Sequence, residues 1–264
     1  MGRFLRSIAF VARVVGCAAF VCGSLAHAGA FLQPPGEGQV ITTFRFSGAK
    51  ADFDANGHLR RGGFYSKSEV QSYAEYGVSE WMTLVFAPSL QHVHVQNAVP
   101  PSYSGLGDSE LGARLRLTAW GPLVVSAQAG GVTRGDWAGF GHRRLTGKAA
   151  AQADIRLLAG AGFECGPFAC FADAQVAWRS KAGPSGAERR ADVTLGVRPI
   201  SALLLLVQAF SSFSPGHARS SKCQVSLVYD LSKRLSVQIG GFVSVLGRNT
   251  PNEKGVVSAV WYRF

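Results

Sequence analysis

From residue 39 onward the chain alternates between polar and apolar positions. In the stretch Asp108 to Thr118 every second residue is polar or tiny (Glu110, Gly112, Arg114, Arg116, Thr118), and Leu111, Ala113, Leu115 and Leu117 lie between them. A period of two is the pattern of a β-strand with one apolar and one polar face. It recurs at 66–78, where Lys67, Glu69, Gln71 and Glu75 alternate with Val70, Ala74 and Tyr76. At 147–159, Lys148, Gln152, Asp154 and Arg156 oppose Ala151, Ala153, Ile155 and Leu157. At 189–199, Arg190, Asp192, Thr194 and Arg198 oppose Val193, Leu195 and Val197. Read this way, the chain predicts strands over 39–47, 66–78, 81–96, 109–119, 123–133, 147–159, 168–180, 189–199, 201–213, 221–231, 235–246 and 255–264. Two places depart from the rule. Residues 203–207 are apolar on both faces, and Pro88 interrupts its strand with a shift of phase that predicts a bulge there.

The connections alternate as well. Those at Ser79-Glu80, Trp120-Gly121-Pro122, 160–167, Ile200 and 232–234 are mostly short; those at 48–65, 97–108, 134–146, 181–188, 214–220 and 247–254 are longer on average. Short turns on one rim and long loops on the other are the arrangement of a bacterial outer-membrane barrel, the short side being periplasmic. Segments of roughly ten residues also match what a tilted strand needs to cross a bilayer. The sequence therefore predicts an all-β fold: one antiparallel up-and-down transmembrane β-barrel of about twelve strands, with lipid outside and a polar lumen. A lone Arg or Lys at mid-bilayer on the lipid face costs about 2–4 kcal/mol, which explains why charge keeps to one face. Phe64, Tyr65, Trp81, Trp120, Trp178, Phe210, Phe213, Trp261 and Tyr262 gather near predicted strand ends, as interfacial girdles would.

The first 28 residues read as a secretory signal: Arg3, Arg6 and Arg13, an apolar run from Val14 to Leu25, then Ala26-His27-Ala28 as a small-x-small cleavage site. The barrel is then residues 29–264, and the expected location is the bacterial outer membrane. The leader at 29–38, with Pro34-Pro35, is expected to lie in the periplasm rather than to plug the lumen. The formal charge of +11 falls to about +8 once the three signal arginines leave. Export argues against nucleic acid as a partner; outer-membrane lipid and lipopolysaccharide are the expected surroundings. Cys165 and Cys170 bracket a turn-like Gly-Pro-Phe-Ala and are a candidate disulfide. Cys223 reads as a small hydrophobe on an apolar face.

On this assignment the pore wall carries Arg45, Lys67, Arg114, Arg116, Lys148, Arg156, Arg179, Arg190, Arg198, Lys222 and Arg263 against Glu69, Glu75, Glu110, Asp154, Asp173, Asp192 and Asp230. The excess is positive, so a weak anion preference is expected. His92 and His94 share a strand face, but two ligands fall short of a zinc site, and no metal or cofactor is expected. Gly105 and Gly107 before Asp108 read as turn chemistry, since their spacing fits no phosphate-cradling loop. No Gly-x-Ser-x-Gly elbow occurs, so catalysis is not expected. The function that follows is passive passage of a small polar or amphipathic solute. A non-conducting structural or adhesive barrel, or less favourably a lipid-modifying enzyme, are the alternatives.

At the end of the chain Val256, Ser258, Val260, Tyr262 and Phe264 fall on one face. Val260, Tyr262 and the terminal Phe264 resemble the C-terminal signature of outer-membrane barrels, which implies recognition by the barrel assembly machinery. Three pieces together, from Tyr73 to Leu84, from Gly105 to Leu117, and the closing Gly247-Arg-Asn with Trp-Tyr-Arg-Phe264, are similar to a family of outer-membrane proteins. That family is grouped under a phenol-degradation "MetA-pathway" label, and the resemblance implies a transporter.

Overall fold

The computed structural model describes residues 29–96, 101–134, 150–180, 187–214 and 218–264. The expected signal at 1–28 and the candidate wall residue Lys148 lie outside them. Twelve antiparallel strands close into a barrel, with no helix among the described residues. They are β1 (Gly38–Phe53), β2 (Leu59–Ser79), β3 (Met82–Ala87 continuing as Ser89–Val95) and β4 (Ser102–Leu106 continuing as Ser109–Trp120). After these come β5 (Leu123–Arg134), β6 (Ala150–Cys165), β7 (Phe168–Arg179) and β8 (Glu188–Ile200). Last are β9 (Leu203–Ser214), β10 (Ala218–Asp230), β11 (Leu235–Arg248) and β12 (Lys254–Arg263). Each strand pairs with its neighbour in sequence, and β1 pairs with both β2 and β12, so no long edge is left open.

The facing follows the alternation. Leu111, Leu115, Ile155 and Val193 point outward and stay exposed, whereas Arg114 is 2% exposed. Of the aromatics placed near strand ends, Phe64, Trp81, Trp120, Trp178, Phe213 and Tyr262 are exposed, as a girdle requires. Tyr65 and Trp261 are instead buried inside, and Phe210 pairs with the lumen-facing Asp192, because each sits one position out of phase with the outer face. Cys165 and Cys170 are joined by a disulfide across the tight turn at Gly166-Pro167, and Cys223 is free and exposed.

Three expectations need correction. The connection read as a long loop at 48–65 is mostly strand: β1 and β2 continue pairing out to Phe53 and Leu59, leaving 54–58 as the loop. At 21 residues, β2 spans about 70 Å at ~3.3 Å per residue, far more than a tilted membrane crossing needs, so this hairpin projects beyond the bilayer. Polar residues on both faces (Arg60, Arg61, Ser66) hide such a strand from a pattern search. Second, the phase shift is not at Pro88. Pro88 splits β3, yet the register against β2 runs unbroken through it, with Ala74 opposite Phe86 and Gln71 opposite Ser89. The extra residue is in β4 at Gly107-Asp108: before it Tyr103 pairs with the inward-facing Val93, and after it Glu110 pairs with Ala87. Third, the leader at 29–37 enters the lumen.

Candidate functional site in the barrel lumen

The inner wall of β2 to β7 carries a connected run of ion pairs and hydrogen bonds. At its lower end Arg114 of β4 donates from Nη1 to Glu75 Oε1 at 2.8 Å and from Nη2 to the Tyr73 hydroxyl at 2.7 Å. Its Nε donates to Gln128 Oε1 of β5 at 3.1 Å. Glu75 also accepts from Tyr73, Gln39 and Gln33, so this fully buried carboxylate has four side-chain donors. Burial without such partners would be costly for both ions. Gln128 then donates to Glu110, which pairs with Arg156 of β6; Arg156 holds Asp154 at 2.6 Å. Asp154 accepts from Arg179 of β7, and Arg179 reaches Asp108 at 3.2 Å. Arg190 of β8 pairs with Glu188.

Elsewhere Lys67 and Arg45 share Glu69, Arg198 and Arg263 share Asp230, and Lys222 pairs with Glu253. Asp192 accepts from Gln175 at 2.8 Å. Arg116 faces the lumen opposite Ser126 but is exposed, next to a second register shift in β4, between Arg116 and Thr118. Asp108, Glu188 and Glu253 each take a wall cation, and none was legible there from alternation: they sit at a bulge, a strand start and a loop. With them, the positive excess disappears among the described wall residues. Tyr73, Gln39, Gln128 and Thr83 were likewise missed, since neutral polar residues carry little signal in a charge pattern.

Opposite the ionic run the wall is apolar. Leu204 and Leu206 of β9 are buried with Ile41, Phe171, Val228, Ala259 and Trp261, and Tyr73 packs against them. This is the stretch that reads as apolar on both faces.

Residues 29–37 lie between these two walls. The Ala30 amide donates to Asp173 Oδ2 at 2.6 Å and its carbonyl accepts from Ser126 Oγ at 2.6 Å. The Phe31 carbonyl accepts from Arg114 at 3.1 Å, and the Gln33 amide donates to Thr83 at 3.0 Å. Pro35 bridges to Gly77 of β2, where a Cβ would fall 2.1 Å from the Pro34 carbonyl oxygen. Glycine is required there for the backbone to approach this closely. A leader with two prolines and no alternation reads as a free tail. Its anchoring instead uses its own backbone groups, which a sequence does not display.

The outward-facing histidines hold serines: His92 Nδ1 lies 2.6 Å from Ser104 Oγ, and His94 Nδ1 lies 2.9 Å from Ser102 Oγ. Among the described residues neither imidazole has a carboxylate or amide partner, the third member that a hydrolytic triad needs. Val260, Tyr262 and Phe264 share the outer face, with Phe264 stacked on Tyr262 at 6.0 Å between ring centroids.

No family model matches the chain. No curated protein matches it either. Among solved structures it is similar to an outer-membrane channel from Pseudomonas putida F1, with a TM-score of 0.68 and 13% identity over 91% of this chain and 100% of that one. It is also similar to the NanC porin, with a TM-score of 0.51 and 8% identity over 84% of this chain and 98% of that one. At such identities these likenesses establish the fold, a barrel of the outer-membrane type.

Proposed function

We propose that this protein is a passive outer-membrane channel for small amphipathic solutes, held closed by residues 29–37. The observation that carries the reading is Arg114: one guanidinium binds the barrel wall through Glu75 and the leader through the Phe31 carbonyl. Withdrawing the leader would open a bore with a charge-paired wall on β2 to β8 and an apolar wall centred on Leu204 and Leu206. Such a bore suits a solute with one polar and one apolar side. The resemblance to the phenol-degradation family makes small aromatic alcohols the first solutes to test. The two similar structures are an outer-membrane channel and a porin, which supports passive transport. Because the cations and acids of the described wall balance in number, a reversal potential close to zero in a salt gradient is expected, in place of the anion preference read from the sequence.

Liposome swelling with sugars, organic acids and aromatic alcohols tests this on the whole protein and on a variant lacking 29–37. Faster entry of aromatic alcohols through the shortened variant supports the reading. Entry of no solute through either form overturns it in favour of a non-conducting structural barrel, which the tightly filled lower lumen would also suit.

A further inference from the structure

We propose that Asp173 is a receptor for the amino terminus created by cleavage after Ala28, so that export itself locks residues 29–37 into the lumen. Asp173 faces the lumen from β7 and is 6% exposed. Among the described residues its carboxylate forms no ion pair and accepts one hydrogen bond, from the Ala30 amide. The nearby cation, Arg114, is already committed to Glu75, Gln128, Tyr73 and the Phe31 carbonyl. A buried carboxylate with one neutral donor is short of compensation.

Gly29 supplies what is missing. It lies directly against the Asp173 carboxyl group: a Cβ on Gly29 would fall 2.1 Å from Asp173 Cγ, so only glycine fits. Gly160 on the neighbouring strand keeps the same space open, since a Cβ there would meet Phe31 and Asp173 Oδ2 at 2.8 and 3.0 Å. In the precursor the Gly29 nitrogen is a neutral amide. Hydrolysis of the Ala28–Gly29 bond takes up one water, leaves a carboxylate on Ala28 and makes the Gly29 nitrogen an ammonium with three donors. The new cation then sits beside a carboxylate that lacks one. The lock therefore forms only in processed protein, and a chain that retains its signal has no charge to offer.

The test uses full-length processed protein purified from outer membranes. Intact mass must show Gly29 as the first residue; any other terminus overturns the proposal. The protein is produced with 15N-labelled glycine, and the unmodified Gly29 α-amine, distinct from every amide nitrogen, is titrated by 15N NMR. An exposed α-amine titrates at about 7.7–8.0. Pairing with Asp173 is expected to raise that midpoint by at least about one unit, a tenfold preference for the charged form. Asp173→Asn should return it to the ordinary range, while Asp192→Asn should leave it raised. A variant with one glycine inserted before Gly29 displaces the ammonium without touching the barrel and should titrate normally while folding as well as the parent. An ordinary midpoint in the parent, or one unmoved by Asp173→Asn, overturns the proposal. Neither result bears on solute passage, which swelling measures separately.

Discussion

Replacing Arg114 by methionine probes the ionic wall and the leader together. Methionine keeps the apolar stem and removes a guanidinium that donates to Glu75, Tyr73, Gln128 and the Phe31 carbonyl. Glu75, whose side chain is fully buried, then keeps its neutral donors and loses its cation. Removing one partner of a buried pair costs about 3–5 kcal/mol, some two to three and a half orders of magnitude in the folding ratio. The comparator is Arg60→Met in the projecting hairpin. Arg60 pairs with Asp54 at 2.7 Å but is 71% exposed, and such a pair contributes about 0–1 kcal/mol. Reversible urea unfolding in lipid, followed by tryptophan fluorescence, measures both. The double replacement Arg114→Met with Glu75→Leu should recover most of the loss, because it removes the stranded charge as well. If Arg114→Met costs less than about 1 kcal/mol, or the double replacement is worse than the single one, the burial argument is refuted.

Further outcomes follow from the same geometry. Val193→Arg, on the outer face of β8, should cost about 2–4 kcal/mol in the same unfolding assay, while Thr194→Arg on the lumen side should cost far less. Phe264→Ala should lower the yield of heat-modifiable barrel assembled in cells several-fold yet leave refolding of purified chains nearly unchanged, if that ring is read by assembly machinery rather than by the fold. In the loop at 54–58, hydrogen bonds from the His58 and Asn56 amides, with Arg60 alongside, hold the Asp54 carboxyl below its ordinary range. A lowered folded pKa contributes stability that is present above the unfolded value and lost as pH falls through the folded one. The His58 amide should therefore keep its slow exchange until pH drops below the ordinary carboxylate range, and lose it at neutral pH in Asp54→Ala.

The barrel was legible in the sequence because lipid and lumen impose opposite demands on alternate residues, and a misplaced charge is costly. Ile155, Val193 and Arg156 therefore declared their faces. The projecting end of the first hairpin lies beyond the bilayer, where neither face is constrained, and Arg60 and Arg61 concealed the strand. The bulge was misplaced because proline is a visible break, whereas Gly107-Asp108 looks like any turn. The wall cations were found, but three of the acids that pair with them were not, because Asp108, Glu188 and Glu253 sit at a bulge, a strand start and a loop and obey local geometry rather than the strand period. The leader was misread for a different reason: it is held through Ala30, Phe31 and Gln33 main-chain groups, common to every residue.

The seam of the cylinder orders events in time. The Gly38 amide bonds to the Phe264 carbonyl and the Phe264 amide to the Gly38 carbonyl, so the staves at either end of the chain meet only once the last residue has arrived. Residues 29–37 lead directly into the first of those staves. The leader is therefore tethered at the seam itself, and drawing it out of the lumen breaks its own few hydrogen bonds without parting a single stave.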